Sequence, residues 1–170
     1  MNAGQLHDRI SKVCPINGIS IGNVDDRSTW LIRFDDTASD QQRNAATAVL
    51  GAFDPNAPTL EQINAERDRR IALGFSYDFG DARGVHHIGT TPADMIGWGE
   101  VSTYAGALLD MGDVTTTIAI VTDTGPCEVT APEWRAIEVA AATFRQPIWA
   151  RSFVLQALLP TDYATDAQWT

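Results

Sequence analysis

The chain is poor in sulfur, imidazole and positive charge. Its 170 residues hold two cysteines, Cys14 and Cys127, and no C-x-x-C spacing joins them. A structural zinc site takes about four ligands, so these two do not make one. They read as ordinary thiols, and spacing alone leaves open whether they are bonded. Histidine occurs three times, at His7, His86 and His87. Twelve Lys and Arg stand against 22 Asp and Glu, a formal charge of −10. A surface that acidic repels phosphate, which argues against nucleic acid as a partner. No apolar run approaches the roughly 20 residues needed to span a bilayer. The opening "MNAGQLHDRISKVCPING" lacks the basic-then-apolar layout of a signal peptide. The expectation is a soluble protein made in the cytoplasm, with no membrane partner. Also missing are a G-x-G-x-x-G, a Walker loop, an H-E-x-x-H and a G-x-S-x-G.

What remains is enough for a core, since 44% of residues are hydrophobic and 20% charged. Leu6, Ile10 and Val13 recur at helical spacing over residues 3–13. Ile19 and Ile21, then Trp30, Ile32 and Phe34, alternate as the strands of a hairpin with Asp25 and Asp26 at its turn. "TASDQQRNAATAVLGAFD" follows as a helix carrying Ala38, Ala45, Ala46, Val49, Leu50 and Phe53 on one side. "DPNAP", residues 54–58, is a turn-rich break. Beyond it "TLEQINAERDRRIALG" reads as a helix closed by Gly74. Its charged residues, with Glu66 and Arg70 spaced i,i+4, read as a solvated face. Phe75, Tyr77 and Phe79, a turn over 80–84 and a return over 85–88 form a second hairpin. A helix from Pro92 carries Met95, Trp98, Ala105 and Leu108 or Leu109. "TTTIAIVTDTGPCEVTA" is a third hairpin, and the last helix holds Pro147, which predicts a kink or break near Arg145 and Gln146. The order α-ββ-α / α-ββ-α-ββ-α places the chain in the α+β class, with antiparallel hairpins alternating with capped helices. It divides into a helix–hairpin–helix module over 1–55, an α+β domain over 59–160 and a polar tail over 161–170.

Four helix starts share one pattern. Thr37 with Asp40, Thr59 with Gln62, Thr91 with Asp94 and Thr130 with Glu133 all read Thr-x-x-(Asp/Glu/Gln). That is a capping box, in which the hydroxyl accepts from the third helical amide and the acidic or amide side chain reaches back. Thr91 and Asp94 thereby gain a structural task that needs no substrate.

The pair His86 and His87 is the segment closest to chemistry. Neighbours on a strand point to opposite faces, so the two imidazoles do not converge on one ion. A metal site there would draw on Asp78, Asp81, Asp94 or the distant His7. Neither cysteine lies in a motif that would lower its pKa. The residues therefore predict no enzyme, no cofactor, no metal and no catalytic set. Of the five tryptophans, Trp30, Trp98, Trp134 and Trp149 fall mostly at apolar-stripe positions and read as core. Trp169, in the polar tail, has no core to join. It and Tyr163, together with His86 and His87, are the candidate positions for contact with a neighbouring subunit.

Three segments carry a family resemblance: "ERDRRIALGFSYDFG", "GVHHIGTT", and "DTGPCEVTAPEW" running into "AAATFRQPIWARSFVLQALL". From about Glu66 onward the chain resembles a phage tail-associated family of unknown function. Its members occur as C-terminal domains of tail or tail-fibre proteins and as short stand-alone tail proteins. "CPINGISIGNVDDRSTWLIRF" and the helix after it resemble segments that precede this domain in phage proteins. The resemblance implies a virion or tail-assembly role with no established catalytic residues. On that footing 1–55 is an attachment module and 59–160 the tail-associated domain. The expected function is a structural or adaptor protein of the tail tip, baseplate or fibre attachment, assembled in the host cytoplasm. Its expected partners are other tail, baseplate or fibre proteins and further copies of itself. The alternatives are a fibre-assembly chaperone absent from the particle and, third, a tail-borne cell-wall hydrolase with His86, His87 and the nearby aspartates at a metal or acid/base site.

Overall fold

A computed structural model describes residues 3–170. The fold is α+β; among the described residues there are five α-helices and three antiparallel hairpins, and no hairpin joins a larger sheet. It forms two compact units, Met1–Thr59 and Leu60–Thr170.

The first unit contains α1 (Ala3–Ser11), β1 (Ile16–Ile21), β2 (Trp30–Phe34) and α2 (Asp40–Ala52). Leu6 and Ile10 bury the inner side of α1 against Cys14, Trp30, Ala46 and Phe53. Val13, expected on that side, is exposed, because the helix ends at Ser11 and the chain turns before it. Asp26 caps a short 3₁₀ turn, Arg27–Thr29. The Arg27 guanidinium lies 4.5 Å from the centre of the Trp30 ring. It donates to the carbonyls of Leu50 and Phe53, at the end of α2, where a cation complements the helix dipole. The start of α2 corrects the expected box. The cap is Ser39 with Gln42, not Thr37 with Asp40. Thr37 instead donates its amide and hydroxyl to the Asp35 carboxylate, closing the turn before the helix.

The second unit contains α3 (Leu60–Ile71), β3 (Phe75–Asp78), β4 (Val85–Ile88), α4 (Pro92–Asp110), β5 (Thr117–Thr122), β6 (Gly125–Thr130) and α5 (Ala131–Leu158). The capping boxes expected at Thr91 and Thr130 are both present, each with proline in the first helical turn. Ile118, Ile120 and Thr122 alternate inward along β5, facing Cys127 and Val129 of β6. They join Trp98, Ala105 and Leu108 of α4 and Trp134, Ile137 and Ala141 of α5 in one core. Cys14 and Cys127 are free thiols, each buried in its own unit. Contrary to the expected break, α5 runs as one helix through Pro147. The proline leaves the Thr143 carbonyl without its helical donor.

The polar tail is packed rather than loose. Trp169 is 8% exposed and joins Ile63 and Leu155 in a separate cluster, with Tyr163 and Leu159 against it. That contact explains a leucine in the left-handed conformation at Leu159, φ 51°, where α5 ends. Arg70 reaches across to the Ala164 carbonyl and the Asp166 carboxylate, and its guanidinium sits over the Trp169 ring. Glu66 holds both Arg69 and Arg70 at 2.7 Å. Part of the charged side of α3 is therefore a clasp for the tail, not a solvated face.

Gly74 follows α3 at φ +70°, and a Cβ there would lie 2.4 Å from the Ile88 carbonyl oxygen and 2.8 Å from His87 Nε2. Both backbone strain and space forbid a side chain at the point where α3 meets β4. Gly74→Ala is expected to cost about 2 kcal/mol of stability, measured by urea unfolding. An unchanged midpoint would contradict this packing.

Candidate functional site

The stretch from β4 into α4 collects the polar residues that sequence reasoning singled out. His86 faces inward, buried, with its ring edge-on to Phe79 at 5.4 Å. Its Nδ1 lies 2.8 Å from the Thr122 hydroxyl. That hydroxyl donates its one proton to the Gly125 carbonyl at 2.8 Å, so it accepts from His86, and Nδ1 carries the hydrogen. His87 faces the other way, as strand alternation requires. Its Nε2 donates to the Leu73 carbonyl at 2.7 Å, and its amide donates to the Thr124 hydroxyl at 2.8 Å. The Asp123 carboxylate lies 3.8 Å from Nε2, beyond hydrogen-bonding distance. The Asp123 amide donates to the His87 carbonyl, fastening the β5–β6 turn to β4.

The residues after the histidines are similarly engaged. A Cβ on Gly89 would strike the Asp94 carboxylate at 2.5 Å. Thr90 is buried and donates its hydroxyl to the Ile71 carbonyl, closing the end of α3. Sequence reasoning missed Thr90, whose only signal is a second threonine beside the cap. Thr91 and Asp94 exchange the two capping bonds. Among the described residues no group of three or more His, Cys, Asp or Glu is placed to hold a metal ion.

A cleft of about 320 Å³ opens between the start of α4 and β5. Trp98 and Trp134, their ring centres 4.8 Å apart, lie at its base, and Asp94, Glu100 and Asp123 are the charged residues of its walls. The volume is at the low end for a small-molecule site. Asp94 is spent on its helix cap, and Trp134 donates its ring N–H to the Ser102 hydroxyl, which in turn bonds Glu138. Thr122, also on the cleft wall, has its hydroxyl beside His86 Nδ1, but that hydroxyl is committed to the Gly125 carbonyl.

The aromatic expectations change places. Trp169, expected to lie free, is buried with Tyr163 on the α3–α5 cluster, so the two are together but turned inward. Trp149, read as core, is 37% exposed under the Arg67 guanidinium, 4.0 Å from the ring centre. It belongs to a surface that sequence reasoning did not identify. Val139, Phe153, Val154 and Leu158 are exposed with it on α5. Among all exposed residues of α5, Arg135 alone is charged. The outer side of α4 is similar, with Ile96, Tyr104 and Met111 exposed around a shallow groove at Gly99, Thr103 and Ala107. A methyl at Gly99 would meet no atom within 4 Å, so packing within the chain does not require a glycine there. An ordinary surface helix keeps one polar face. The readable signal is that α5 has none, while α4 carries only the polar residues Glu100, Thr103 and Asp110 on its exposed side.

Arg83 is the main electrostatic tie among these elements. It pairs with Asp81 in its own turn and with Glu133 in the first turn of α5, donates to the Glu128 carbonyl, and covers the Phe79 ring at 4.3 Å. The Arg83 guanidinium, helped by the Thr130 amide and hydroxyl, holds the Glu133 carboxyl below its ordinary value. A depressed carboxylate contributes stability that is present above the unfolded value, near 4.5, and lost as pH falls through the folded one. Arg83→Met is expected to cost about 1 kcal/mol at pH 7, the pair being partly exposed. The gap from wild type should narrow below pH 4.5 as Glu133 protonates. Urea unfolding at pH 7 and pH 3 checks this, and an equal gap at both would contradict it.

No curated protein and no solved structure matches the chain. The sequence profile of the domain of unknown function DUF4376 matches residues 54–168, more than half of the chain. The chain belongs to that family.

Proposed function

We propose that the chain is a structural or adaptor component of a phage tail that works by protein–protein contact. The observation that carries the contact role is the outer surface of α5, where charge is almost absent over a 28-residue helix. A helix that is apolar on every side is normally buried. Contiguous exposed apolar surface of this kind marks an interaction site. The polar residues that could have served chemistry are engaged in caps and turns: His86 with Thr122, His87 with Leu73, Thr91 with Asp94. The placement in a tail rests on the resemblance of "ERDRRIALGFSYDFG", "GVHHIGTT" and the α5 segment to tail-associated proteins, and the net charge of −10 suits contact with protein rather than nucleic acid.

Mass spectrometry of purified particles of a phage encoding the chain tests the proposal. The expected result is the intact chain, at a fixed ratio to the other tail proteins. Its absence from particles, despite abundance in the lysate, would overturn the structural role in favour of an assembly chaperone.

A further inference from the structure

We infer that the outer face of α5 is the seat of a second copy of this chain, joined through a two-fold interface of helix on helix. The inference deepens the contact role proposed above by naming the partner. Val139, Ala142, Gln146, Trp149 and Phe153 follow one another at intervals of 3, 4, 3 and 4, and all five are exposed. That is the spacing of a coiled-coil seam, in which every member faces a partner helix. The opposite side of α5 is already buried, by Trp134, Ile137, Ala141 and Leu155. The seam therefore repeats the apolar pattern on the side that this chain leaves open.

Three observations select a copy of the same chain as the occupant. The first is charge. Residues 139–158 include no Asp or Glu, in a chain of formal charge −10. Two such chains repel wherever their acidic surfaces meet, and this strip is where they approach without that repulsion. The second is the polar residue within the seam. Gln146 lies near the middle of the exposed strip. A single polar residue in a seam fixes register. Its amide is both donor and acceptor, so Gln146 is complementary to itself across a two-fold axis. The third is area. Val139 is 67% exposed and Phe153 is 59% exposed. With Ala142, Gln146 and Trp149 the strip is about 21 Å long. It offers on the order of 500 Å² per copy, so two copies reach about 1,000 Å², the threshold for a specific interface.

Light scattering of the full-length chain on a sizing column tests this. Wild type is expected to run at the mass of two 18.5 kDa chains. Phe153→Asp, an exposed position, is expected to weaken association at least about 100-fold, as loss of a central aromatic anchor does. The circular dichroism spectrum should stay unchanged. Val121→Asp, 87% exposed on β5, should leave the dimer intact. Gln146→Cys should oxidise to a disulfide-linked dimer, because the residue sits on the axis. A single-chain mass for wild type at tens of micromolar, or an assembly that Phe153→Asp leaves intact, would overturn the inference. Finding the chain in particles while it runs as a monomer would sink the self-interface and leave the tail role standing. A dimer absent from particles would do the reverse.

Discussion

An isolated two-stranded hairpin is marginally stable at best in water, and the described residues form three of them and no larger sheet. Each must be backed by a helix. In the second unit that helix is α5, against which α3, α4, β3 and β6 pack. Its inward residues Trp134, Ile137, Ala141, Ser152 and Leu155 are nearly or fully buried. Ser152 satisfies its hydroxyl locally by donating to the Trp149 carbonyl. The Thr130 capping box fixes where the helix begins, and Arg83 ties that beginning to the β3–β4 turn. α3, α4, β3 and β6 are thus placed directly by this one helix, and β4 and β5 follow as the hairpin partners of β3 and β6.

The same dependence explains why polar residues that look like chemistry are structural. A hairpin with few neighbours must hold its turn with side chains. Thr122 closes the β5–β6 turn on Gly125 and anchors His86, while Thr124 and Asp123 fasten the turn to the backbone of His87. Thr90 and Thr91 each finish a helix, one at its end and the other at its start. Residues so committed are poor candidates for catalysis, which needs groups free to exchange protons with a substrate. The outer surface of α5, by contrast, carries unusually little charge.

Local chemistry made the fold legible in the sequence. The element order and the α+β class follow from alternation at Ile118 and Ile120, helical spacing at Leu6 and Ile10, and the boxes at Thr91 and Thr130. The error at Thr37 arose because Ser39 and Gln42 offer the same pattern two residues on, and an Asp35 turn competes for the threonine. What periodicity does not contain is long-range packing. Trp149 lies on a helix whose two sides are equally apolar, so its spacing does not say which side is inward. Trp169 lies in a polar segment, yet Arg70 and Arg151 draw that segment onto α3 and α5 by donating to its carbonyls. The histidines fared better, since alternation on a strand is a local rule.

The central claim is that α5 is a helix with two buried faces, one covered by its own chain and the other by a second copy. Hydroxyl-radical footprinting of the full-length chain over a dilution series tests it most directly, with Val121 as an internal reference that stays exposed. Trp149 and Phe153 should be protected in concentrated solution and become reactive on dilution, while Trp134, buried within the chain, stays protected throughout. Equal reactivity of Trp149 and Phe153 at every concentration would contradict the claim.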